Sequence, residues 1–175
     1  MNTDKIINEN FTKIVINKND YLLEPGQTED YLYYIEKGII RMYYYNAERD
    51  SEHTFDFIFP KHFSCSYKSF KERVPSEFYI QALTNIIAYR IHYQKLDNLI
   101  KTNANYQKLE LQIIESLFLK KLNREICLLK DSPESIYQNL IKDESHILKH
   151  VPLKHIASYI GITPQALSRI RNRIS

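Results

Sequence analysis

Near the end of this 175-residue chain, Gln165, Ser168, Arg169, Arg171, Asn172 and Arg173 gather amides, a hydroxyl and guanidinium groups on one stretch. Arginine pairs bidentately with guanine, glutamine and asparagine pair with adenine, and hydroxyls and cations meet phosphate. No Asp or Glu lies between Lys154 and Ser175. A helix built only to be solvated more often mixes acids with bases at i,i+4. The elements that would position these groups are legible. Leu153, Ile156, Ala157 and Ile160 recur at i, i+3, i+4 and i+7 and predict one face of a short helix. Gly161 ends it, since glycine takes the left-handed conformation without steric cost. Thr163 is placed to cap a second helix and Pro164 to begin it. That helix is expected to bury Ala166, Leu167, Ile170 and Ile174. The whole reads as a helix-turn-helix whose second helix enters the major groove. Gln165 and Arg169 would read bases, with Ser168 and Arg173 assisting, and Thr163, Arg171, Asn172 and Lys154 would hold phosphates. An ordinary αα-corner shares the bare pattern. The small Ala157 at the expected crossing and the acid-free face favour DNA.

Other chemistry is poorly represented. There is no Ser/His/Asp, Cys/His or paired-carboxylate constellation in a strand–loop setting, so an enzyme is not expected. Cys65 and Cys127 are far apart, without CxxC spacing, and imply neither a disulfide framework nor a zinc or iron–sulfur site. His53, His62 and His92 are scattered. His146 and His150 have i,i+4 spacing and His155 follows, but no carboxylate or thiol set surrounds them. No metal or cofactor is expected. Lys and Arg number 24 against 21 Asp and Glu, a net charge of +3, so positive charge matters only where it is concentrated. No apolar run is long enough to span a membrane and no secretory signal opens the chain, which suggests the cytoplasm.

The first half has strand character. Short runs rich in Ile, Tyr and Phe at 12–16, 21–23, 31–36, 39–45, 52–59, 78–83 and 86–91 are separated by turn signals such as Glu24-Pro25-Gly26 and Lys37-Gly38. They predict an antiparallel barrel or roll. Residues 1–10 read as polar and frayed, and 60–75 as a break able to hold a short helix. Helices are expected at 93–101 and 105–129. The longer one carries two apolar stripes: Tyr106, Leu109, Ile113 and Leu117, and Leu111, Ile114, Phe118, Leu122 and Ile126. A helix apolar on two sides needs cover on two sides. The β-roll and a second subunit would supply it, the alternative being burial within one chain. A helix at 135–143, capped by Ser132, and a polar connection at 144–150 lead to the helix-turn-helix. The fold class is α+β, with boundaries at 1–104, 105–130 and 131–175.

The segments NDYLLEPGQTEDYLYYIEKGIIRMYY at 19–44 and IASYIGITPQALSRI at 156–170 make the chain resemble the catabolite-activator (Crp/Fnr) family of bacterial transcription regulators. The first looks like its cyclic-nucleotide-binding double-stranded β-helix, with Gly26 and Gly38 at turns, and the second like its DNA-reading motif. The resemblance implies a homodimer that regulates transcription on a palindromic double-stranded operator, with RNA polymerase as a further candidate partner. Arg169 matches the family's base-reading arginine and Ser168 the residue before it, whereas Gln165 stands where the family carries Glu. The family's β-hairpin wing has no counterpart before Ser175, so it is expected to be missing or truncated. The family's phosphate cassette, a Gly-Glu pair and then Arg-Ser/Thr-Ala, falls here on Cys65-Ser66 and Pro75-Ser76-Glu77. It has no glycine, and Glu77 would repel a phosphate. Arg73 is the nearby arginine that could compensate. Cyclic AMP is therefore not expected to bind in the family's usual mode. Another reading is a sensor that takes a non-nucleotide ligand around Cys65, Ser66, Arg73, Ser76 and Glu77, with DNA binding weak or secondary.

Overall fold

The computed structural model describes residues 3–143 and 147–174. The chain divides into two compact units, Met1–Met42 with Phe57–Leu117, and Tyr43–Asp56 with Phe118–Ser175. The elements run α1 (Thr3–Asn10), β1 (Thr12–Ile16), β2 (Tyr21–Leu23), β3 (Tyr31–Lys37), β4 (Ile40–Asn46), β5 (Ser51–Ile58), β6 (Phe63–Ser64), α2 (Tyr67–Glu72), β7 (Tyr79–Ala82), β8 (Ile86–His92), α3 (Tyr93–Thr102), α4 (Ala104–Lys130), α5 (Pro133–Asp143), α6 (Ile147–His150), α7 (Leu153–Ile160) and α8 (Pro164–Ile174). The α+β class and the strand-rich first half are as the sequence predicts.

The strands form two sheets, ordered β1-β8-β3-β6 and β2-β7-β4-β5. In the first sheet β8 is central, pairing antiparallel with β1 from Thr12↔Arg90 to Ile16↔Ile86 and with β3 from Tyr31↔His92. Gly38 follows β3 at φ +97°, where a Cβ would lie 2.6 Å from the Asn85 carbonyl oxygen, so the tight approach of the two turns admits only glycine. One layer of this first unit buries Ile6, Ile7, Phe11, Leu32, Phe70, Ile91 and Leu96 together with Tyr106 and Leu109 of α4. Tyr106 and Leu109 of the expected inward stripe are therefore covered, with Ile113 partly so and Leu117 outside this cluster.

Two differences are instructive. Residues 3–10 are not frayed but helical, with Ile6 and Ile7 buried. An adjacent apolar pair cannot display a 3.6-residue period, and a helix this short owes its existence to tertiary burial. The two-residue β6 escaped notice because its signal is the pairing Tyr33↔Ser64 and Tyr34↔Phe63 rather than any periodicity of its own.

In the second unit, Asp56 is buried, with its carboxylate 2.7 Å from Lys120 Nζ and 3.0 Å from Lys121 Nζ. Paired charges are what make burial of a carboxylate tolerable. Ser158 Oγ of α7 donates to the Glu52 carbonyl at 2.7 Å and accepts from the Thr54 N–H at 2.8 Å, fastening α7 to β5. Arg124 lies 3.9 Å over the Tyr159 ring and donates to the Tyr159 carbonyl. Ser132 caps α5 by accepting from the Ser135 N–H at 3.2 Å. The expected polar connection at 144–150 is corrected in part: Ile147–His150 is a helical turn whose Ile147 is fully buried, while 144–146 lie outside the described residues. One buried isoleucine in a polar stretch leaves no periodic trace. Among the described residues, no helix is long and apolar enough to cross a membrane.

Candidate nucleic-acid interface and effector cassette

The turn between α7 and α8 follows from its residues. Gly161, at φ +89°, donates to the carbonyls of Ala157 and Ser158, and the Ile162 N–H reaches back to Ala157 at 3.0 Å, a Schellman closure. Thr163 Oγ1 accepts from the Ala166 N–H at 3.2 Å and caps α8. α7 and α8 pack together, with Ile156, Ala157 and Ile160 of α7 and Leu167 and Ile170 of α8 buried and Ala166 and Ile174 half-buried. Leu153 departs from expectation and is exposed. It is the first residue of α7, and helical side chains lean toward the N-terminus, here past the packed turn.

Most of the residues chosen from the sequence are solvent-exposed. Gln165, Ser168, Arg169, Asn172, Arg173, Thr163 and Lys154 are exposed and Arg171 is half-buried. Arg173 also reaches Glu134 of α5 at 3.0 Å, an exposed pair. Pairs of this kind contribute about 0–1 kcal/mol. Arg169, Asn172 and Arg173 border an open groove of about 610 Å³ that also touches Pro133. Of the spaced histidines near the C-terminus, His155 is buried 3.9 Å from Glu52 and His150 is exposed, while His146 lies outside the described residues. No group of His, Cys, Asp and Glu able to hold a metal occurs among the described residues.

In the first unit, Ser66 and Ser76 are buried with their hydroxyls 3.1 Å apart. The Ser76 N–H donates to the Gln27 carbonyl at 2.8 Å, and the Gly26 N–H to the Ser76 carbonyl at 2.9 Å. Arg73 ends α2 in the left-handed conformation, φ 59°. Its guanidinium donates to the Glu29 and Phe70 carbonyls and to Asp30, 4.4 Å over the Tyr93 ring. Burial pushes the Cys65 thiol well above the usual range, aided by the charge of Glu29, so it is an inert thiol. Glu77 stands apart, exposed and 3.4 Å from Lys68.

Residues 13–103, just over half of the chain, match the cyclic nucleotide-binding domain. The chain belongs to the cyclic nucleotide-binding domain family. No curated protein matches it in sequence. Solved structures show the fold. FixK2 from Bradyrhizobium japonicum superposes with a TM-score of 0.75 at 12% identity, over 94% of this chain and 84% of that one. A regulator of the crp/fnr family from Eubacterium rectale gives 0.73 at 17%, over 97% and 82%. The c-di-GMP responsive global regulator CLP of Xanthomonas campestris gives 0.71 at 15%, over 98% and 89%. The chain thus carries the Crp/Fnr fold, sheets and C-terminal helices together.

Within this cyclic nucleotide-binding domain, the residue that sequence reasoning missed is Glu29. It is 1% exposed, and its carboxylate accepts from the Tyr31 N–H at 3.1 Å and the Ser66 N–H at 3.2 Å. Its own N–H donates to Ser69 Oγ at 2.9 Å. Burial raises its pKa from 4.5 to about 7, against the pull of the two N–H donors. Asp30 raises it further and Arg73 opposes. In the sequence, Glu29 lies in the polar turn Gln27-Thr28-Glu29-Asp30, where nothing separates a buried acid from a solvated one.

Proposed function

We propose that this protein is a dimeric, sequence-specific DNA-binding transcription regulator that does not answer to cyclic AMP. The observation that carries the reading is the exposed face of α8. It is free of acids, presents Gln165, Ser168, Arg169, Asn172 and Arg173 together, and stands on a capped helix held by the Gly161 turn. Gln165 and Arg169 reach base edges, Ser168 and Arg173 assist, and Thr163, Lys154, Arg171 and Asn172 meet phosphates. The Thr163 hydroxyl can do both jobs, accepting the cap bond through oxygen and donating its proton outward.

The second subunit docks on α4. Along this helix Leu111, Phe118, Leu122 and Ile126 are exposed at 67%, 63%, 40% and 48%, a continuous apolar stripe opposite the buried Tyr106 and Leu109. Soluble proteins seldom leave such a stripe in water, and a two-fold pairing of identical stripes covers it. The dimer holds its two α8 helices about 34–36 Å apart, one turn of DNA. The test is selection of bound duplexes from a random pool, followed by anisotropy titrations over a salt series. Specific, salt-dependent binding that loses about 1–3 kcal/mol of discrimination at one base pair in Arg169→Ala supports the reading. Discrimination unchanged in Arg169→Ala overturns the assignment of that residue, and no binding above the non-specific level overturns the function.

A further inference from the structure

Several donors of the segment that matches the family's phosphate cassette are engaged here by the chain itself. The Ser66 N–H, where the cassette turns into α2, points at Glu29 Oε2. The Ser76 N–H is bonded to Gln27, the Ser76 hydroxyl to Ser66 and Phe78, and a bridge joins Thr28 to Pro75. The cationic Arg73 is anchored to the Glu29 carbonyl and to Asp30. One carboxylate, buried and fixed by two backbone N–H groups, lies at the centre of this arrangement.

We propose that Glu29 is a built-in occupant of the effector cassette: its carboxylate takes the Ser66 N–H that would otherwise meet a ligand's phosphate, and so holds residues 65–76 closed with no nucleotide bound. An arriving phosphate must displace one anion, and then faces Asp30 beside it. The groups facing Glu29 are Asp30 on its own turn, Arg73 at the end of α2, the Cys65 thiol before α2 and the Tyr33 phenol on β3. Arg73 alone among them is cationic, and it is turned to backbone and to Asp30. The inference rests on the family assignment of the β-roll and not on the DNA-reading helix. Loss of operator binding would leave it standing, and its own failure would leave the DNA reading untouched.

The experiment uses the full chain as wild type, Glu29→Ala and Glu29→Gln, titrated calorimetrically with inorganic phosphate and with cyclic AMP at pH 8. In parallel, the Ser66 and Tyr31 amides are followed by NMR. Wild type is expected to bind neither probe. Glu29→Ala uncovers the Ser66 N–H and should bind phosphate-bearing probes about tenfold or more tightly, the contribution of one hydrogen bond to a charged group, with the Ser66 amide shifting. Equal affinity in wild type and Glu29→Ala, or no binding by a folded Glu29→Ala, overturns the proposal. Should Glu29→Ala fail to fold, Glu29→Gln decides. In wild type the Ser66 and Tyr31 amides should titrate together between pH 5 and pH 8, and that titration should vanish in Glu29→Gln. Its persistence overturns the proposal.

Discussion

Replacing Glu29 with glutamine is expected to abolish a pH dependence of stability that the wild type carries. The Glu29 carboxyl titrates near 7 in the folded chain and near 4.5 when solvated, because burial disfavours its charged form. Below pH 4.5 the group is neutral in both states and its contribution to stability is fully present. As pH rises, the unfolded chain ionises first, and the contribution is lost as pH passes through 7. A difference of about 2.5 units corresponds to about 3 kcal/mol, since each unit is about 1.4 kcal/mol. Glutamine keeps the acid's shape and cannot ionise, but it offers one acceptor oxygen to the two N–H donors, so Glu29→Gln should lie about 1–3 kcal/mol below wild type near pH 4. Between pH 4 and pH 8 the difference should move by about 3 kcal/mol in favour of Glu29→Gln. Urea denaturation followed by far-UV circular dichroism at fixed protein concentration, at pH 4, 5, 6, 7 and 8, measures this directly. Parallel curves for the two proteins across that range would refute the reasoning, because they would mean that Glu29 is solvated or already neutralised. A stability cost at this carboxylate is what a functional site shows when it is not optimised for folding alone.

Three further outcomes are expected. Arg171→Ala should weaken binding to every duplex alike and lower the slope of log affinity against log salt by about one, measured by anisotropy. Leu122→Lys, on the uncovered stripe of α4, should shift the chain to monomer in sedimentation velocity and abolish high-affinity operator binding, with the far-UV spectrum retained. Gly161→Ala should destabilise by about 1–2 kcal/mol in thermal or urea melts. A Cβ there meets nothing within 4 Å, so the cost is that of the left-handed backbone alone.

What could be read from the sequence was whatever repeats or punctuates. The strands of the roll are short runs of Ile, Tyr and Phe that end in turns, α4 shows two apolar stripes, and Thr163 with Pro164 marks the start of α8. The buried partner sets were not legible, because they depend on which distant residues meet. Asp56 finds Lys120 and Lys121, Ser158 finds Glu52 and Thr54, and Glu29 finds Ser66. At the cassette, the missing glycine and the position of Ser66 could be named in advance, but not the carboxylate that meets it. Arg73 could be named as the available cation, but not its commitment to a backbone carbonyl and Asp30.

The stripe on α4 carries a genetic consequence. In the proposed dimer, pairing through the exposed Leu111, Phe118, Leu122 and Ile126 uses none of the side chains on α8, so a copy altered on α8 would still find partners. Co-expressed in equal amount with the wild type, an Arg169→Ala chain would leave only about a quarter of the dimers with both halves intact, if subunits pair at random. An operator that needs both half-sites would then respond as though most of the regulator had been removed, and the defective allele would behave as dominant.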